Sequence, residues 1–273
     1  MTSPIDDGRR LTREVMSKVP AVTLTFWIIK IAATTLGETG GDSVTMSWLG
    51  ETTDHAVPNG YLIGTAIFAA ALVVFVILQI VAKKFHPFLY WATIVASTTA
   101  GTTMADFFDR SLGIGYTGGS VTLFALVLIS LGTWYWSQGS VSVNTVNTPR
   151  VEAFYWITIT FSQTLGTALG DWAADTGGLG YGDGVLLFAA GLALIAAAYY
   201  LTKISHVVLF WMAFILTRPL GATAGDFLDK PISDGGMNSS RPIASLIMAG
   251  AIIICVLVFP QRAGSHTARA ASS

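Results

Sequence analysis

The sequence predicts an all-α membrane protein, with eight transmembrane helices arranged as four tandem, parallel helical hairpins. Three observations predict it. Only 11% of the 273 residues are charged, 52% are hydrophobic and mean hydropathy is +0.62, whereas soluble chains carry about 25% charged residues. Apolar runs of about twenty residues recur along the chain, each long enough to cross about 30 Å of hydrocarbon as a helix. Four times over, Trp is followed by Gly ten positions later and by Asp fifteen positions later. These sets are Trp27, Gly37, Asp42; Trp91, Gly101, Asp106; Trp156, Gly166, Asp171; and Trp211, Gly221, Asp226. Spacings of 64, 65 and 55 residues between the tryptophans make each repeat a pattern helix, an outer loop and a plainer return helix.

The spans follow in order. The first, 19–38, is preceded by about eighteen polar residues and followed by further spans, so it serves as its own insertion signal rather than a cleaved one. Its return, 60–82, ends at Lys83 and Lys84. The second pair is 88–106 and 120–138, the third 153–171 and 184–202. Leu112–Gly119 (LGIGYTGG) and Gly177–Gly184 (GGLGYGDG) read as tight turns that re-enter the next helix. The fourth pattern span, 207–226, carries Arg218 and Pro219, and the last return, 242–260, holds Cys255. A single cysteine excludes an internal disulfide or a cysteine-cluster metal site, and Cys255 reads as a small core residue. The membrane domain is thus 18–260, in repeats of about 18–85, 86–148, 149–204 and 205–260, flanked by polar tails 1–17 and 261–273 expected to be mobile.

Basic residues orient the spans. With the N-terminus inside, the inner segments hold Arg9, Arg10, Arg13, Lys18, Lys83, Lys84, Arg150, Lys203, Arg262 and Arg269, and the outer ones only Arg110, Lys230 and Arg241. Asp6, Asp7, Glu14 and Glu152 lie inside, and the other acids fall at or beyond the outer helix ends. Both termini are expected in the cytoplasm and the chain in the inner membrane. A net charge of −1 offers no basic surface for nucleic acid.

Through segments such as Lys18–Asp42 (KVPAVTLTFWIIKIAATTLGETGGD) and Phe154–Asp171 (FYWITITFSQTLGTALGD), the chain resembles bacterial multi-pass membrane proteins built from four tandem two-helix repeats, each with a characteristic tryptophan. The resemblance covers about Lys18 to Phe259 and implies the architecture. Some members carry efflux or membrane-anchored labels, but the family has no established function, so function is read from the residues.

At 100° per residue, positions eight, eleven and fifteen after the tryptophan share a helix face. The faces show Thr35, Glu38 and Asp42; Thr99, Thr102 and Asp106; Thr164, Thr167 and Asp171, with Gln163 beside the last. Glycine at position ten lets helices approach closely. All four pattern helices point the same way and can surround one axis, gathering the aspartates. A carboxylate at or within the bilayer costs roughly 2.5–3.5 kcal/mol and is read as functional. Asp42, Asp106, Asp171, Asp226 and Glu38 against Lys30 and Arg218 leave −3 if all are ionised, which a cation or protons would relieve. These hard oxygen donors suit Ca²⁺, Mn²⁺ or Mg²⁺. The histidines, His55, His86, His206 and His266, lie outside the motifs, with His55 beside Asp54 a minor metal candidate.

In the fourth repeat Arg218 and Pro219 replace the hydroxyl stripe, predicting a broken helix and an internal counter-cation to Asp226 or a neighbouring carboxylate. Lys30 is expected to oppose Glu38 or to act as a proton-linked switch. The tryptophans, about 10 Å into their helices, read as packing residues. Nothing matches a hydrolase or redox constellation, so no enzymatic activity and no cofactor are expected. The expected partners are the bilayer, a small cation and protons. The expected function is a secondary transporter exchanging a divalent metal ion for protons, with export favoured. The alternatives are a cation channel with an acidic ring and a non-transporting scaffold or accessory subunit.

Overall fold

Capping chemistry sets where helices begin in this computed structural model, which describes residues 12–269. The eight long helices are α1 (Leu24–Asp42), α2 (Gly60–Val81), α3 (Pro87–Asp106), α4 (Gly115–Gln138), α5 (Pro149–Asp171), α6 (Gly180–Leu201), α7 (His206–Asp229) and α8 (Arg241–Val258). Thr23 and Thr148 accept bonds from Phe26 N and Val151 N at the starts of α1 and α5, and Pro87 and Pro149 occupy first-turn positions that need no donor. Glycines with φ near +70°, at 113 and 115 and again at 178 and 180, turn the chain into α4 and α6, as only a residue without Cβ does cheaply.

The helices form two concentric layers. α1, α3, α5 and α7 contact one another in sequence and α7 closes back on α1, making an inner ring of four parallel helices. The outer helices are offset by one repeat: α2 packs on α3, α4 on α5, α6 on α7, and α8 returns to α1. Among the described residues five helices, α2, α4, α6, α7 and α8, are long and apolar enough to cross a membrane. The inner helices α1, α3 and α5 are less apolar because they carry threonines and acids, most of them buried. The outward faces of α2, α4, α6 and α8 expose large apolar side chains such as Val74, Leu128, Leu194 and Leu257.

Two expectations change. α1 starts five residues later and runs four further than span 19–38, because the preceding residues form a strand, which puts Trp27 in the first turn of α1 rather than 10 Å along it. The inner parts of the tails are ordered: β1 (Thr12–Pro20) pairs antiparallel with β2 (Ala263–Arg269). Lys18 N and Ser17 Oγ donate to Val146 O and Val143 O at 2.7 Å each, and Ala21 N to Arg262 O at 2.8 Å. Lys18 Nζ lies 2.6 Å from Glu152. Residues 1–11 and 270–273, including Asp6, Asp7, Arg9 and Arg10, lie outside the described residues.

Candidate functional site

The four pattern glycines create the ring. A Cβ on each would collide with position seven of the next repeat: Gly37 with Thr98, Gly101 with Gln163, Gly166 with Arg218 and Gly221 with Thr34. At Gly101 the obstacle is backbone, with Gln163 C at 2.8 Å and Thr164 N at 2.9 Å. Helices that close bring side chains of equal offset into layers around one axis.

The layer at the helix starts is aromatic. Phe26, Tyr90, Tyr155 and Phe210 precede the four tryptophans, Tyr90 and Tyr155 share a hydroxyl bond of 2.6 Å, and Trp134 of α4 joins them. Trp91, Trp156 and Trp211 are buried and Trp27 is half-buried, packed on Phe26 and Phe210. The indoles of Trp91 and Trp211 donate to Gln261 Oε1 at 3.3 Å and Val141 O at 2.9 Å. The tail strands lie beneath, so this end is closed.

Above it the axis is polar. Lys30, fully buried, sits 4.2 Å over the Phe214 ring and donates to Gln163 Oε1 at 3.3 Å, while Gln163 Nε2 reaches Ser97 Oγ at 3.4 Å. Lys30 therefore pairs with Gln163 and an aromatic face, not with Glu38 as expected. Arg218, also fully buried, pairs at 2.9 Å with Oε2 of Glu38, the neighbouring carboxylate, and not with Asp226 itself. Its Nη2 donates to Thr102 Oγ1 at 2.6 Å, Thr167 Oγ1 at 2.5 Å and Thr98 O at 3.4 Å. One guanidinium from α7 thus ties together α1, α3 and α5, the planar multi-donor geometry a lysine lacks. Pro219 does not break α7, which runs unbroken to Asp229.

The last layer holds the aspartates, and the structure adds two cations to it. Arg110 Nε lies 2.8 Å from Asp106 and its Nη2 3.8 Å from Asp171; Lys230 Nζ lies 3.0 Å from Asp226 and 3.3 Å from Asp42. Each cation follows an aspartate by four residues, one helical turn, a spacing visible in the sequence but hidden by reading both as loop charges. With them the expected −3 of the ring falls to −1 if all groups are ionised. After Asp42, Asp106 and Asp171 the chain widens into π-helical turns, Ser43–Trp48, Phe107–Ser111 and Trp172–Thr176. Asp109, in the second of these, is buried with no hydrogen-bond partner for either oxygen, and burial pushes its carboxyl up to about 6 against the pull of Arg110. Asp229 pairs with Arg241 at 3.2 Å.

Among the described residues, carboxylate oxygens of Glu38, Asp42 and Asp226 lie within 4.8 Å of one another, all three residues buried. Thr102 Oγ1 lies 3.3 Å from Glu38 Oε2. Asp106 and Asp171 are outside this group of three and pair with Arg110. Thr35, Thr99 and Thr164 do not face this group; each bonds a carbonyl of its own helix four residues back, Ile31, Val95 and Thr160. The hydroxyls that meet the Arg218 guanidinium come from position eleven, Thr102 and Thr167, whereas Thr98 offers it a backbone carbonyl and packs its side chain on Gly37. No histidine joins a metal-competent group among the described residues, and His55 is exposed.

A family model described as Repeat of Unknown Function (DUF347) matches residues 25–85, 89–140, 154–205 and 209–260. Each match spans one inner helix and the outer helix that follows it. No curated protein and no solved structure matches the chain.

Proposed function

The chain belongs to the Repeat of Unknown Function (DUF347) family, and we propose that it is an inner-membrane secondary transporter that exchanges a divalent metal ion for protons, with export favoured. In this reading all eight helices span the bilayer, both termini are cytoplasmic and the aspartate layer faces outward, as the basic residues of the inner loops require. The observation that carries the reading is the buried group of Glu38, Asp42 and Asp226, whose oxygens lie within 4.8 Å of one another. Three hard oxygens gathered within that distance suit Ca²⁺, Mn²⁺ or Mg²⁺. Protonation of the same carboxylates releases the ion, which couples the two fluxes through one site.

Arg218 lies across the axis and the aromatic layer shuts its inner end. That arrangement favours alternating exposure of one site over an open acidic pore. The test is ion flux in proteoliposomes, with Mn²⁺, Ca²⁺, Mg²⁺ and K⁺ offered with and without a pH gradient. Metal-dependent proton movement is expected in the wild type and is lost in Asp42→Asn and Asp226→Asn. A folded wild-type protein that moves no cation under any gradient refutes the reading.

A further inference from the structure

Lys230 ends α7 and reaches back into the aspartate layer. Its ammonium lies 3.0 Å from Asp226, 3.3 Å from Asp42 and 3.8 Å from Met46 Sδ. These two carboxylates, with Glu38, form the group proposed to take the substrate. The Lys230 ammonium therefore already sits where a cation is wanted. Asp42 is fully buried, yet its Oδ1 has no hydrogen-bond partner, and neither does the buried Oδ2 of Asp106. The layer therefore offers more acceptor capacity than its two resident cations use.

The two cations are not equivalent. Arg110 bridges Asp106 and Asp171 through two nitrogens of a planar fork. Lys230 is a single point charge on a flexible four-carbon stem at a helix end, about a tenth of its side chain exposed, so rotation about the stem alone can carry the ammonium away from the carboxylates. Charge decides what can replace it. Glu38, Asp42 and Asp226 against Arg218 and Lys230 leave one net negative charge if all are ionised. With the ammonium withdrawn and a divalent ion seated, the group becomes neutral; a monovalent ion leaves the charge as it was.

We propose that Lys230 is a tethered counter-cation, that the substrate enters by displacing its ammonium from Asp42 and Asp226, and that the ion able to do so is divalent. This rests on the cation-exchange reading and names the gate and the valence at the same site. The tether keeps the carboxylates compensated between substrates and admits only an ion that binds them better than an ammonium does.

The experiment uses the purified full-length protein in detergent, with thermal melting to establish folding. Mn²⁺ and K⁺ binding are measured by titration calorimetry for wild type, Lys230→Met and Lys230→Gln. Removal of the competitor is expected to tighten Mn²⁺ binding at least tenfold in both variants. In the wild type, Mn²⁺ but not K⁺ is expected to increase acylation of Lys230 by a water-soluble amine reagent. If the wild type binds Mn²⁺ and the variants bind it no more tightly, the tether is overturned and the exchange reading stands. If the variants do not fold, unchanged acylation with Mn²⁺ overturns it. K⁺ acting as well as Mn²⁺ overturns the valence assignment. No divalent binding to any folded chain removes the exchange reading itself.

Discussion

Arg218 carries a fully buried charge and has partners on three other helices. Its charge is offset by Glu38 at 2.9 Å and by threonines from two further helices. Removing one partner of a buried pair leaves the other uncompensated, typically at about 3–5 kcal/mol, whereas removing both is far milder. Arg218→Met is therefore expected to lower the melting temperature sharply, and Arg218→Met with Glu38→Gln to recover much of the loss. Equal melting of single and double variants would show that the pair does not hold the ring. Asp109 makes a prediction of opposite sign to an ordinary surface carboxylate. Burial raises its carboxyl to about 6 in the folded protein, above the usual value near 3.9. Its contribution to stability is thus full below about pH 4 and lost as pH rises through about 6. Asp109→Asn should flatten that part of the stability curve, and an unchanged slope between pH 5 and 7 would contradict it.

At the scale of the helix, the pattern glycines act by what they exclude. A Cβ at Gly101 meets the backbone of α5 at 2.8 Å, and backbone cannot move aside as a side chain can. Gly101→Ala is expected to cost about 1–3 kcal/mol through overpacking. Gly132 in α4 and Gly250 in α8 have nothing within 4 Å of a built Cβ, so alanine there should be neutral or stabilising by about 0.5–1 kcal/mol, since glycine weakens a helix interior. Melting temperatures of the three variants check the contrast. The same contacts show why Thr35, Thr99 and Thr164 miss the axis. Helical wheel positions are relative until a neighbour fixes the rotation, and the glycine at position ten does so by taking position seven, not eight, of the adjacent helix.

At the scale of the whole molecule, each outer helix completes the following repeat rather than its own. Residues 1–148 alone would leave α4 without α5 and α1 without α8. The two halves, 1–148 and 149–273, are therefore expected to be unstable when expressed singly and to co-purify as a folded complex when expressed together, because α4 and α8 each bridge the cut. Stable, monomeric halves would show that the repeats close on themselves instead.

Much of this was legible in the chain. Seven of the eight predicted spans agree with the helices within a few residues, and the Trp, Gly and Asp spacing defines four parallel copies. The carboxylates Glu38, Asp42, Asp106, Asp171 and Asp226 stand out in the sequence because charge at an apolar run is costly. Pairing was not legible. That Arg218 meets Glu38, that Lys30 meets Gln163, and that Arg110 and Lys230 leave their loops for the aspartate layer all depend on which helices are neighbours around the ring and how each is rotated. Periodicity places a residue on a face of its own helix; only the packing of four helices about one axis decides what that face touches.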